Sequence, residues 1–305
     1  MSAKKVVVAG ATGNLGRKIV KALIQQGAEV TAMVRATSNR SKLEAMGVKN
    51  FVTGDMMDKA SLITALSGNG FDTIVASAAG YTKHTKGDNP DTDTTGYRNL
   101  VDATKEAGIP RFVLISILES DKAVSVPHFH NKYLIEKYLA EKKQPYIALR
   151  PGAFFDWSDD TIVKGIKKGS VPMFFDGVDY GTIYTPDLAR YVAIAATSLP
   201  DSELNAYVDV GWSTPVNSQS MAAAFSKVLN KPVKAKPVIP AFLFKIMAPV
   251  ASAFSESMKD MVGMIKWINT GEYVSRNTEK QKQLFGDLPT IEEAVRRFCK
   301  DKGLI

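Results

Sequence analysis

The chain has 305 residues, 45% of them hydrophobic and 23% charged, with 39 basic against 31 acidic side chains for a net charge of +8. Such a composition buries a sizeable core and suits one large α/β domain, or one domain with a smaller appendage. The basic residues are scattered through helical segments with no compact Lys/Arg run, which argues for solvated surface plus a phosphate site and against a nucleic-acid footprint.

The start, Met1-Ser2-Ala3-Lys4-Lys5, runs directly into a strand and leaves no room for a signal peptide. Residues 4–9 form a β-branched run of the length of one buried parallel strand. Gly10-Ala11-Thr12-Gly13-Asn14-Leu15-Gly16 follows. It opens a helical pattern with Leu15, Ile19, Val20, Leu23 and Ile24 on one face, closed by Gly27. Strand, glycine turn and helix together present free backbone N–H groups and a positive helix end to a phosphate. Residues 28–34 read as a second strand ending at Arg35, with Thr37, Ser38, Asn39 and Arg40 close behind. In dinucleotide-binding folds an acidic residue at this strand end takes the ribose hydroxyls, whereas an arginine accommodates a 2′-phosphate. Arg35 therefore points to NADP(H) in preference to NAD(H).

A third strand, residues 50–54, leads to Asp55-Met56, and a helix follows over 59–66. In a doubly wound sheet that position lies beside the adenine, where Asp55 accepts from the adenine amine and Met56 covers the ring. The alternative is that Asp55 or Asp58 caps the helix. Residues 71–76 form a fourth strand, and after Ala76 the small residues Ser77, Ala78, Ala79 and Gly80 let a cofactor approach the backbone. The polar connection 81–95 is long for a βα loop. A helix over 97–108, a strand over 111–115 ending in Ser116, a helix over 128–143 and a strand over 145–149 ending in Arg150-Pro151-Gly152 complete the alternation. This order implies right-handed βαβ crossovers and a doubly wound parallel sheet of the Rossmann type. Ligands bind outside the carboxyl ends of such strands. The glycine loop, Arg35, Asp55, Ala76, Ser116 and Pro151 all fall on that edge.

Beyond Gly152 aromatics accumulate: Phe154, Phe155 and Trp157, then Phe174 and Phe175. Residues 184–189 enter a helix at Pro186 or Asp187, 207–210 form a late strand, and Ser218 caps a helix reaching Leu229. The most apolar stretch, 237–254, is interrupted by Pro240, Lys245 and Pro249 and is too short to span a membrane. Thr290-Ile291-Glu292-Glu293 is a capping-box pattern opening an amphipathic helix to Lys302. The single cysteine, Cys299, excludes an internal disulfide and fits a reducing compartment. The expected organisation is a dinucleotide-binding Rossmann domain over residues 1–152 and a smaller substrate lobe over 153–305, cytoplasmic, as a monomer or homodimer, with no nucleic-acid or membrane partner.

Five motifs carry a family resemblance: the glycine loop, Met33-Val34-Arg35, Gly54-Asp55, the run from Ala107-Gly108-Ile109-Pro110 to Val113, and Leu149-Arg150-Pro151-Gly152. With them the chain resembles the atypical short-chain dehydrogenase/reductase superfamily, of the NmrA-like, NAD(P)H-binding type. The resemblance implies a helix carrying a tyrosine and, four residues later, a lysine that holds the nicotinamide ribose, with a serine after the fifth strand that orients substrate. Lys132 matches the lysine and Ser116 the serine, while the tyrosine position holds His128. His128 is then either a replacement proton donor or a cap on the helix after Pro127. Lys132 is either the ribose ligand or a surface lysine, and His130 and Tyr133 point off its face. The implied activity is NADPH-dependent reduction of a small carbonyl, quinone or enone held among Phe154, Phe155, Trp157 and Phe175 or Tyr180. The alternatives are an NADP(H)-binding redox sensor without turnover, or an isomerase or epimerase on the same scaffold.

Overall fold

A computed structural model describes residues 3–80, 90–173, 177–214, 216–237 and 256–305. Most of the 81–95 connection, the pair Phe174-Phe175 and nearly all of the apolar stretch 237–254 therefore lie outside the described residues. The chain clusters into two compact units that interleave in sequence. One takes the described residues of 1–121, 128–150 and 185–208; the other takes those of 122–127, 151–184 and 209–305.

In the first unit, β1 (Lys5–Ala9), β2 (Glu29–Val34), β3 (Asn50–Thr53), β4 (Thr73–Ala76), β5 (Arg111–Ile115) and β6 (Tyr146–Pro151) alternate with α1 (Asn14–Gln25), α2 (Ser41–Glu44), α3 (Lys59–Leu66), α4 (Thr95–Glu106) and α5 (Pro127–Glu141). The strands stand in the order β3-β2-β1-β4-β5-β6, pairing in parallel throughout. This is the doubly wound arrangement. Val6, Val7 and Val8 are fully buried because both faces of the sheet are covered, and each such side chain contributes about 1.5–3 kcal/mol.

The period of two sorts the strand residues between the faces. Val7, Ala9, Ile74, Ala76, Phe112, Leu114, Tyr146 and Ala148 pack with Leu62, Leu66, Leu100, Ile135 and Leu139 from α3, α4 and α5. Thr73, in the alternate register, donates its hydroxyl to Ala196 O at 2.9 Å, on α7 (Thr185–Thr197), which runs beside α1. A seventh strand, β10 (Ala206–Val210), adds to the β6 edge. The pairing of that strand, and the packing of α7 on β4 and β5, draw residues 185–208 into the first unit. A contiguous division at residue 152 thus gives way to an interleaved one.

The second unit contains β7 (Ala153–Phe154) paired with β9 (Thr182–Ile183), β8 (Ser170–Met173) paired with β11 (Lys234–Pro237), and five helices among the described residues: α6 (Asp159–Lys167), α8 (Ser218–Leu229), α9 (Glu256–Ile268), α10 (Thr278–Phe285) and α11 (Ile291–Asp301). Its core is aromatic. Phe155 stacks on Tyr184 at 4.9 Å and meets Phe298 edge-on at 5.8 Å, with Phe225 and Trp212 completing the group. Among the described residues no helix is long and apolar enough to cross a membrane.

The element ends follow their capping chemistry, with one departure from expectation at α8. Asp58, not Asp55, caps α3, accepting from the Ser61 N–H. Thr290 caps α11 as expected, taking the Glu293 N–H. The cap of α8 is Asn217 instead of Ser218: the Asn217 side chain takes the Ser220 N–H, and the Ser220 hydroxyl takes the Asn217 N–H. The reciprocal pair satisfies two helix-end donors, which Ser218 alone could not do. In addition, α5 begins at Pro127, so His128 lies inside its first turn and does not cap it.

Candidate active site

The glycine loop closes on itself and on the end of β4. Gly13 N–H donates to Gly10 O at 3.0 Å. Gly10 has φ +81°, and a Cβ there would lie 2.6 Å from the Ala78 nitrogen. A Cβ on Gly16 would lie 2.0 Å from the Gly10 carbonyl oxygen. Neither position admits a side chain. Immediately beyond, α1 begins without a side-chain cap and without an acidic residue in its first turn, with Asn14 exposed and Leu15 half-buried. The Thr12 carbonyl accepts from the Arg17 guanidinium. Close backbone approach and helix-end N–H groups are what a pyrophosphate needs, so this cradle fits a dinucleotide.

At the end of β2, Arg35 is half-buried, and its N–H donates to Ser38 Oγ at 3.1 Å. That bond folds the following turn back on the strand end. Asp55 is exposed; its carboxylate accepts from the Met57 N–H at 2.9 Å, and its own N–H donates to Ser61 Oγ. Met56 differs from the expected ring cover. Its side chain belongs to the core under α4, where Gly96 gives it room, and Asn99 donates to its carbonyl at 2.9 Å. Ala76 is buried at the end of β4, and both the N–H and the hydroxyl of Ser77 donate to Ala9 O, at 3.0 and 3.1 Å. The ends of β1 and β4 are thereby stitched beside the loop.

Lys132 is a buried residue of α5, not a surface lysine. Its ammonium lies 2.8 Å from Asp93 Oδ1, donates to Ala78 O at 3.3 Å, and sits 3.9 Å above the Tyr97 ring. The other Asp93 oxygen accepts from the Gly80 N–H at 2.9 Å, and the Tyr97 hydroxyl donates to Ala78 O at 2.6 Å. Burial penalises the ammonium, but the carboxylate of Asp93 and the Tyr97 hydroxyl hold its pKa above that of an ordinary lysine. Burial pushes the Tyr97 hydroxyl up in turn, partly offset by the Lys132 charge. Ala78 thus accepts from Lys132 through its carbonyl, and its backbone nitrogen lies so near Gly10 that a Cβ there would be 2.6 Å away, which brings Lys132 close to the glycine loop.

The partners of Ser116 change its expected role. Its buried hydroxyl donates to Glu136 Oε1 at 2.5 Å. Glu136 is itself gripped by Arg150, whose Nε and Nη2 reach the two carboxylate oxygens at 2.9 and 2.7 Å, while Nη1 takes Asp121 at 2.8 Å. The Arg150 guanidinium also stacks 3.6 Å over the Tyr207 ring. Ser116 is thus tied into a buried network joining α5 to β5 and β6. His128, one turn before Lys132 on α5, is half-buried with its ring edge-on to Phe129 at 4.5 Å.

In the second unit, Pro151 is buried, and a Cβ on Gly152 would lie 2.4 Å from the Gly181 carbonyl carbon, so Gly152 serves close strand approach. Phe155 lies in the aromatic core, whereas Phe154 is half-buried and Trp157 is 47% exposed. All three line a cavity of about 80 Å³ together with Tyr180, Thr182, Met221 and Phe225.

Asp93 and Tyr97 are the site residues that sequence reasoning missed. A signal existed in the acid-rich turn Pro90–Asp93 just ahead of an aromatic on α4. Nothing local, however, pairs either residue with Lys132.

A family described as NAD(P)H-binding matches residues 10–198. The chain is 30% identical over 209 residues to the photosystem II assembly factor Ycf39 of Synechocystis sp., a match covering 68% of this chain and 62% of that protein. It spans between 46% and 62% of the length of the first curated relatives it matches. Among solved structures, it is similar to an NADPH-dependent quinone oxidoreductase of Escherichia coli complexed with NADPH, at 19% identity and TM-score 0.75 over 96% of this chain and 99% of the other. A Citrobacter sp. triphenylmethane reductase complexed with NADP(H) matches at 20% identity and TM-score 0.74, over 96% and 99%.

Proposed function

Because the chain belongs to the NAD(P)H-binding family, in the NmrA-like branch of the atypical short-chain dehydrogenase/reductases, we propose that it is an NADPH-dependent oxidoreductase acting on a small carbonyl, quinone or enone. The carrying observation is the contact chain Gly10–Ala78–Lys132, which joins a glycine cradle to a buried, charged lysine within one unit. NADPH, when bound, supplies a hydride. The protein supplies position and a proton. Gly10, Thr12, Gly13, Asn14, Leu15 and Gly16 take the pyrophosphate on the loop and first turn of α1. Arg35 takes the 2′-phosphate, in a charge-assisted bond that a ribose hydroxyl cannot match. Asp55 accepts from the adenine amine, Ala76 and Ser77 let the cofactor approach the strand end, and Lys132 donates to the nicotinamide ribose. His128, four residues before Lys132 on the same helix face, is the proton donor to the substrate oxygen. Ser116, whose hydroxyl is committed to Glu136, holds α5 in place and does not orient substrate.

A second reading has an observation of its own. The charge of Lys132 is already answered by Asp93, which weakens its pull on a neighbouring acid, and the matched relative is an assembly factor by name. Under it, the protein binds NADP(H) without turnover. A panel of quinones, enones and aldehydes separates the two. The reductase reading expects NADPH consumption with at least one of them, lost in Lys132→Ala and reduced about 100-fold or more in His128→Ala, the usual size of a general-acid contribution. Tight NADPH binding with no consumption across the panel supports the second reading instead.

A further inference from the structure

The surroundings of Lys132 carry one step more, which rests on the reading of that lysine as the ribose ligand. An ammonium has three donors on a flexible four-carbon stem, so burial alone does not fix where it points. Here its partners among the described residues come from the segment after β4 and from the first turn of α4. Ala78 O and the Tyr97 ring bound the ammonium on two sides, and Asp93 approaches most closely. Asp93 is itself fixed. It is 3% exposed, its second oxygen is held by the Gly80 N–H, and it closes the short turn Pro90–Asp93 directly ahead of α4. A carboxylate anchored to the main chain in this way imposes a direction on the lysine and does not merely follow it.

We propose that Asp93 is a positioning residue of the cofactor site, holding the Lys132 ammonium beside the Ala78 carbonyl so that it faces the nicotinamide ribose. The pair is electrically neutral as a unit. Lys132 therefore contributes a directed hydrogen bond to the cofactor more than a net charge. Among the described residues, the titratable groups around the ammonium are Asp93 and Tyr97 across from it, with His128 and Glu136 one turn to either side on α5.

The test is fluorescence titration of NADPH against wild type, Lys132→Ala, Asp93→Asn and the double variant Asp93→Asn/Lys132→Met, with thermal melting of each. Asparagine keeps the shape of Asp93 and still accepts from Gly80. Asp93→Asn is expected to weaken NADPH binding about tenfold, the equivalent of one charge-assisted hydrogen bond. Its buried ammonium, now without a counter-ion, loses its proton more easily. NADPH binding by Asp93→Asn should therefore fall as pH rises above neutrality while wild type stays level, a change that a purely structural role would not produce. The double variant leaves no unpaired buried charge, so its melting temperature should recover toward wild type while its NADPH binding does not. Weakened binding in Lys132→Ala together with wild-type affinity and a level pH profile in Asp93→Asn would overturn the proposal alone. Unchanged binding in Lys132→Ala would overturn the reading of Lys132 and the role of Asp93 with it.

Discussion

Four buried ionic groups of the first unit, Asp93, Lys132, Glu136 and Arg150, each meet an opposite charge within 3 Å. Removing one partner of such a pair leaves an uncompensated charge in the core, at a cost of about 3–5 kcal/mol. That asymmetry explains why α5 carries two ionic contacts one turn apart: the first sets the lysine, and the second ties the helix to β5 and β6. In the other unit, Cys299 shows the same physics without a partner. Burial among the aromatics raises its thiol pKa from 9.0 to about 11. Between those values the unfolded chain has released the proton and the folded chain has kept it. The folded state binds more protons there, so stability falls as pH rises through that window. Chemical denaturation of wild type and Cys299→Ala at a series of alkaline pH values checks this. The stability advantage of wild type should shrink between pH 9 and 11.

At the scale of elements, β1, the glycine loop and α1 were legible because their information is local. A β-branched run, three glycines at fixed spacing and a periodic helix face need no distant partner. The tightest point of that unit is Gly16, where a methyl group would collide with the Gly10 carbonyl. Gly16→Ala must displace the loop, at about 1–3 kcal/mol of overpacking, and should lower the melting temperature and weaken NADPH binding about tenfold or more. Thermal melting and fluorescence titration read both effects. The elements that were less legible owe their form to tertiary pairing. Ser116 matched a family serine by position, but its hydroxyl is claimed by Glu136 from α5. Met56 follows a strand end where an adenine would lie, yet α4 draws it into the core.

Across the whole molecule, the doubly wound parallel sheet followed from alternation, since βαβ crossovers restrict the topology. The interleaved units did not. Residues 185–208 belong with the sheet because α7 packs on β4 and β5 and β10 extends the β6 edge, facts of long-range packing. Asp93 was hidden for the same reason, because its significance lies in a lysine far along the chain. What was legible at every scale is the edge where strands β1, β2 and β4 end, and the choice of cofactor rests there on Arg35. Titration of wild type and Arg35→Asp with NADPH and with NADH tests that claim most directly. Wild type should bind NADPH at least about tenfold more tightly than NADH, the equivalent of one charge-assisted phosphate contact, and Arg35→Asp should abolish the difference. Equal affinities in wild type, or no binding of either nucleotide, would contradict it.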